Sequence, residues 1–239
     1  MAETDTRRRV LDAALAGFLD DGYDQTTIAD IRSRSEVSNG ALFHHFPTKD
    51  AIADALFVEA IASFHEGLWE LMARKPRSLR SAVRGVIEHQ LRWIQEHPDL
   101  ARFVYMRGHL DWDSAGGSEV EELNRRIAAA IREWMAPPIE RGEIRPRSML
   151  VISAIVTGPA HAIAQRWLAG QLESPPTAFV DELADAAWAG LRGKPAPGRA
   201  EPTLPADRGR LALELIAHDG TVLAQGQATA QLVRTKDDT

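Results

Sequence analysis

The sequence predicts an all-α protein: an N-terminal three-helix helix-turn-helix head, a larger C-terminal helical domain, and a short β-hairpin extension. Three observations predict it. Apolar residues recur every three or four positions in successive stretches between Val10 and Leu191. Ser or Thr caps open many of these stretches, and Gly or Pro ends them. After Gly193 the chain turns Pro- and Gly-rich and then alternates with a period of two. The expected units are residues 1–50, 51–192 and 193–239.

Helix 1 is expected from about Thr6 to Asp20, with Val10, Leu11, Ala14, Leu15 and Phe18 in one stripe and Gly22 as the stop. Thr27 and Asp30 have capping-box spacing, and Ile28 and Ile31 give the second helix its inner face. After a three-residue turn, Ser38 caps a third helix that turns Leu42 and Phe46 inward and stops at Pro47. Two short helices about a tight turn are the layout of a helix-turn-helix, whose second helix enters the major groove. The same layout alone also describes an ordinary helical hairpin. The outward residues of the third helix are Ser38, Asn39, Ala41, Phe43 and His44. Asn can pair bidentately with adenine, small residues admit a base edge or thymine methyl, and His reaches a base or a phosphate. The helix starts at Thr27 and Thr48 offer N–H groups to phosphates, and Lys49 adds charge.

Thr48 caps a long helix that runs after Lys49 to about Lys75, with Ile52, Ala55, Leu56, Ala60, Phe64, Leu68 and Leu71 on one face. Its first turn belongs to the head and the rest to the second domain. Ser78 opens a helix ending at Pro98, and Asp99–Leu110 forms a shorter one. Residues 111–117 read as loop from their Asp, Ser and Gly content. Ser118 and Glu121 form a capping box for a helix that Pro137-Pro138 should kink or break, with a last turn to Arg141 before Gly142. Ser148–Ala169 and Thr177–Leu191 are the last two helices. Ala154, Gly158 and Ala162 recur every four residues on the former, which lets another helix approach closely. A helix apolar around most of its circumference needs cover on both sides, which the same chain or a second copy can supply.

The run from Gly193 to Pro205 is a linker. Arg210–Ile216 and Thr221–Val233, flanking Asp219-Gly220, predict a hairpin, with a disordered tail as the alternative. It looks like the closing strand pair of a hotdog-fold thioesterase. Some forty residues cannot form that fold, and no catalytic helix accompanies them.

Charge and composition narrow the function classes. The chain carries −6, and residues 1–50 hold six cations against nine carboxylates, net −3. A nucleic-acid footprint here must be local and few in phosphate contacts. There is no Cys, so disulfide and thiol chemistry are excluded. The polar start and the short apolar run Met149–Ala164 predict neither an export signal nor a membrane span, and a cytoplasmic home is expected. His44 and His45 are adjacent, His65-Glu66 lacks a second His, and no nucleophile elbow, phosphate loop or dinucleotide fingerprint appears. No enzyme, metal or cofactor is expected. Trp93, Phe103, Tyr105, Met106, His109, Trp112, Trp134, His161, Gln165 and Trp167 all fall in the second domain. Singly each reads as ordinary core; as a group they suggest an apolar site with a few polar handles.

The segment Thr-x-x-x-Ile followed by Val-Ser-x-Gly-x-Leu-Phe-x-His-Phe-x-Thr-Lys-Asp closely resembles the DNA-binding signature of TetR-family transcriptional regulators. Thr27, Ile31, Val37, Ser38, Gly40, Leu42, His45, Phe46, Thr48 and Lys49 carry the resemblance. Glu36 stands where a turn glycine is usual, and Phe43 where a Tyr is usual. The resemblance implies a homodimeric regulator of a double-stranded DNA operator, with a small hydrophobic or amphipathic effector releasing a repressor. It also implies that the last two helices pair with their counterparts across the dimer. The expected base-side residues are Ser38, Asn39 and His44, with Gly40, Ala41 and Phe43 on the same face; Thr27, His45 and Lys49 are expected at phosphates. The expected effector contacts are Trp93, Phe103, Tyr105, Met106, His109, Trp134, His161 and Gln165. The alternative is a helical ligand-binding or interaction protein without DNA binding, to which the acidic head points.

Overall fold

A computed structural model describes residues 2–106, 113–192, 209–216 and 222–230. Its elements are α1 (Ala2–Asp20), α2 (Ile28–Ser35), α3 (Asn39–His45), α4 (Lys49–Ala73), α5 (Leu79–Glu96), α6 (Pro98–Met106), α7 (Ala115–Glu140), α8 (Met149–Leu168), a 3₁₀ turn (Pro176–Phe179), α9 (Val180–Leu191), β1 (Gly209–Ile216) and β2 (Val222–Ala230). Among the described residues, no helix is long and apolar enough to cross a membrane.

Local chemistry sets the helix starts. The side chains of Ser38, Thr48, Ser78 and Ser148 each accept the N–H three residues on, which satisfies an otherwise orphaned donor. Two hydrophobic cores organise the helices. The first joins Val10, Leu11, Phe18, Ile31, Leu42 and Phe46 to Ile52 and Leu56 of α4 and Phe103 of α6. The second gathers α4, α5, α7, α8 and α9 around Ala60, Ile87, Leu91, Ala160 and Leu191. Both α4 and α6 contribute to both cores, since Ala101 of α6 belongs to the second.

Three local expectations are corrected. Helix α7 starts at Ala115, with Ser114 Oγ accepting the Gly117 N–H at 3.0 Å, so Ser118 and Glu121 lie inside the helix. Gly116 is there for contact rather than for a turn: a Cβ added to it would lie 2.5 Å from Asp54 Cβ of α4. Pro137 and Pro138 do not break α7. They stand in its last turn, Pro138 is buried, and the Arg141 and Glu143 N–H groups close back on the Pro137 and Pro138 carbonyls at 3.0 Å. The stop is at Gly142, which takes φ +71°. The expected last helix begins as the 3₁₀ turn, with α9 proper from Val180.

Strands β1 and β2 belong to a separate unit from the helices. In it β1 pairs antiparallel with β2 from Gly209↔Ala230 to Ile216↔Val222, with an irregularity at Leu215/Ile216. Leu211, Leu213 and Leu215 alternate opposite Ala228, Gly226 and Ala224. The expected Asp219-Gly220 turn lies outside the described residues.

Candidate nucleic-acid interface

The site is built from α2, α3 and the turn between them. Leu42 is fully buried and Phe46 nearly so, which fixes α3 on α1 and α4 through its inner face. The other side is left open. Ser38, Asn39, Gly40, Phe43 and His44 are exposed, and Ala41 and His45 half-buried. Phe43 is 44% exposed, a large apolar ring that the protein's own packing does not use. A Cβ on Gly40 would meet nothing within 4 Å. The missing side chain therefore serves no internal contact and leaves room for something approaching from outside.

The turn keeps its geometry without glycine. Glu36 caps α2 in the left-handed region, at φ 54° and ψ 30°, a conformation that disfavours a residue with a Cβ. Arg9 reaches the Glu36 carboxylate at 3.5 Å.

The groups expected at phosphates are held differently. Thr27 donates its N–H at 2.9 Å and its hydroxyl at 2.6 Å to Asp30, and accepts the Asp30 N–H at 3.2 Å. The Thr27 hydroxyl, and then its N–H, hold the Asp30 carboxyl below the usual carboxylate range. A carboxylate already occupies the start of α2. The Lys49 ammonium donates to the Tyr23 carbonyl at 2.8 Å and the Asp24 carbonyl at 3.4 Å, and lies 4.3 Å from the centre of the Tyr23 ring. It ties the α1–α2 loop to the start of α4. The two imidazoles of His44 and His45 meet edge-on at 5.4 Å.

The arginines of the head are mostly paired as well. Arg7 and Arg8 reach Glu59, Arg8 also reaches Asp12 at 2.9 Å, and Arg34 reaches Asp20 at 3.0 Å and Asp21 at 2.6 Å. These pairs leave the net −3 of residues 1–50 unchanged and fix only where its charges sit. Arg32, exposed on α2, is the one arginine of the head without an ion pair among the described residues. The sequence groups Arg32 with Arg7, Arg8, Arg9, Arg34 and Lys49 as the cations expected near DNA, because it does not say which of the five arginines is already paired.

In the second domain the eight expected effector contacts do not converge. A cavity of about 130 Å³ lies between α4, α5, α7 and α8, and of the eight only Trp134 lines it among the described residues. Trp93 is core, its indole N–H donating to Ser63 Oγ at 3.1 Å. Phe103 belongs to the head's core, stacked 5.8 Å from Phe18. Tyr105 and His161 hydrogen-bond and meet edge-on at 5.6 Å; burial pushes the phenol up to about 12 and the imidazole down. Met106 is 61% exposed, Gln165 is exposed, and His109 lies outside the described residues. The cavity wall is mainly aliphatic, so periodicity marks its residues as core and nothing in the sequence distinguishes them as lining. Among the described residues no cluster of metal-ligating side chains occurs.

Comparison with known proteins agrees with this architecture. Residues 10–56, the three head helices and the start of α4, match the family model for bacterial regulatory proteins, tetR family. The HTH-type transcriptional repressor AcnR of Corynebacterium glutamicum is 30% identical over 144 residues, 59% of this chain and 70% of that protein. The A-factor receptor protein of Streptomyces griseus is 28% identical over 157 residues, covering 62% of this chain. The chain spans about half the length of that receptor and of a mycobacterial repressor it also matches. A TetR family regulator structure from Marinobacter aquaeolei superposes with a TM-score of 0.68 at 19% identity, over 81% of this chain and 98% of that one. With the signature on an exposed α3, and with the family model and the 30% identical repressor in agreement, the chain belongs to the tetR family of bacterial regulatory proteins.

Proposed function

We propose that the chain is a homodimeric, DNA-binding transcriptional regulator, a repressor of a pseudo-palindromic operator released by a small hydrophobic effector in the cytoplasm. The single observation that carries the reading is the orientation of α3, anchored by Leu42 and Phe46 with its polar and small residues outward. Ser38, Asn39 and His44 read bases, Gly40 and Ala41 allow close approach, and Arg32 takes a phosphate.

Support for a dimer comes from α8. Its inner face, Ile152, Val156, Ala160 and Ala164, is buried, whereas Leu150 is 80% exposed and Ala154 and Ala162 are uncovered. A second copy covers that face in this reading, and residues 51–192 are the effector-binding and dimerisation domain. Because α4 and α6 belong to both cores, an effector that prefers one packing of the second domain changes the tilt of the heads. DNA and effector affinities are then reciprocally coupled.

A second reading, a ligand-binding protein without DNA function, is favoured by the paired arginines and by Asp30 at the start of α2. Selection from random DNA separates the two. The regulator reading expects enrichment of two half-sites related by a twofold axis, bound more weakly as salt rises. No enriched sequence at low salt would favour the second reading.

A further inference from the structure

Among the described residues β1 and β2 form a sheet of two strands, so β1 has an outer edge that β2 does not use. Such an edge is a row of backbone N–H and C=O groups open to pairing, ordinarily blunted by Pro or Lys. Neither occurs in β1, which reads Gly-Arg-Leu-Ala-Leu-Glu-Leu-Ile. A two-stranded hairpin is also marginal in water, and further strands with an apolar face are what stabilise it.

The pattern of β1 is its own complement. Strand alternation puts Leu211, Leu213 and Leu215 on one face with their register partners Ala228, Gly226 and Ala224, and Arg210, Ala212 and Glu214 on the other. Beside a second, antiparallel β1, only a register centred on a residue sets leucine positions opposite leucine positions. Centring on Arg210 or Glu214 opposes like charges. Centring on Leu211 sets Arg210 opposite Ala212, and centring on Leu213 sets it opposite Ile216, so neither forms a charged pair within the strand. Centring on Ala212 sets Arg210 opposite Glu214 twice, Leu211 opposite Leu213 twice, and Ala212 opposite itself. The middle of β2 is Gln225, Gly226 and Gln227, with no charge to fix a register.

We propose that β1 of one copy pairs antiparallel with β1 of a second copy about Ala212, joining two hairpins into a four-stranded sheet. The backbone edges supply the joining hydrogen bonds. The two Arg210–Glu214 pairs select the register, since exposed ion pairs add little affinity alone. The inference rests on the homodimer reading above, which tethers two hairpins through residues 192–208, a segment of up to about 60 Å when extended. Tethering raises their effective concentration to about the millimolar range.

The chain has no cysteine, so one introduced thiol reports the pairing in the full chain. In a glutathione buffer Ala212→Cys should form an interchain disulfide at least about tenfold faster than Gln227→Cys, which occupies the β2 position opposite Ala212. In the four-stranded sheet two strands separate the paired copies of position 227, about 14 Å, too far for a disulfide. In the Ala212→Cys background, Arg210→Glu and Glu214→Arg should each slow cross-linking about tenfold, and both together should restore it. Cross-linking no faster at position 212 than at 227, or no effect of either charge substitution, would overturn the inference. So would slowing by Arg210→Glu with acceleration by Glu214→Arg, since charge would then act on the thiol and not on the pairing. Sedimentation equilibrium of the unaltered chain separates this from the reading it rests on. A dimer without preferential cross-linking at position 212 removes the strand pairing and leaves the proposed function standing, whereas a monomer removes both.

Discussion

At the scale of single residues, Glu36 and Lys49 show how context decides a role. Glu36 is held at φ 54°, where the absence of a Cβ relieves a clash of about 1–2 kcal/mol that glycine's greater chain entropy partly offsets. Glu36→Gly should therefore stabilise the protein by about 0.5–1 kcal/mol in urea unfolding. A loss of stability would show that the Arg9 contact outweighs the strain. Lys49 and Arg32 should separate cleanly in salt titrations of DNA binding. Arg32→Ala should remove about one counterion from the slope. Lys49→Ala should hardly change it but should lower stability, because Lys49 holds the Tyr23 and Asp24 carbonyls. The reverse pattern would return Lys49 to the phosphates. The sequence displayed the charge of Lys49 but not its partners, which lie 26 and 25 residues away along the chain.

Among the elements, the head was legible because its signals are local: a cap, an apolar pair and a stop within each short helix. Both Thr27 and Ser38 cap as their spacing foretells, and Leu42 and Phe46 go inward. The start of α7 was not legible, because Asp-Ser-Ala-Gly-Gly is equally good turn chemistry and close-packing chemistry. Only the neighbouring helix decides between them. Gly116→Ala tests that decision: its new Cβ would push against Asp54 Cβ, so we expect a loss of about 1–3 kcal/mol, read by chemical denaturation. An unchanged midpoint would mean that α7 and α4 separate at no cost. The expected effector contacts lie scattered for a related reason. Aromatic residue type marks where large side chains are, whereas a cavity exists where aliphatic ones do not meet.

For the whole molecule, the uncovered face of α8 carries the expectation of a twofold assembly. A charged side chain at its centre should be tolerated by the fold and not by the partner. Ala154→Arg should leave helicity unchanged and convert the species in sedimentation equilibrium from dimer to monomer; a dimer that persists would place the interface elsewhere. The central claim concerns the opposite end of the chain, the open side of α3. Gly40→Ala addresses it with fold and recognition measured on the same sample. Space is free around the new methyl and alanine favours helix, so stability should hold or rise by up to about 1 kcal/mol. Affinity for the selected operator, followed by fluorescence anisotropy, should nevertheless fall at least tenfold, because the methyl would stand where a base edge must come. Operator affinity equal to that of the unaltered chain, with the fold intact, would contradict the claim that this face reads DNA.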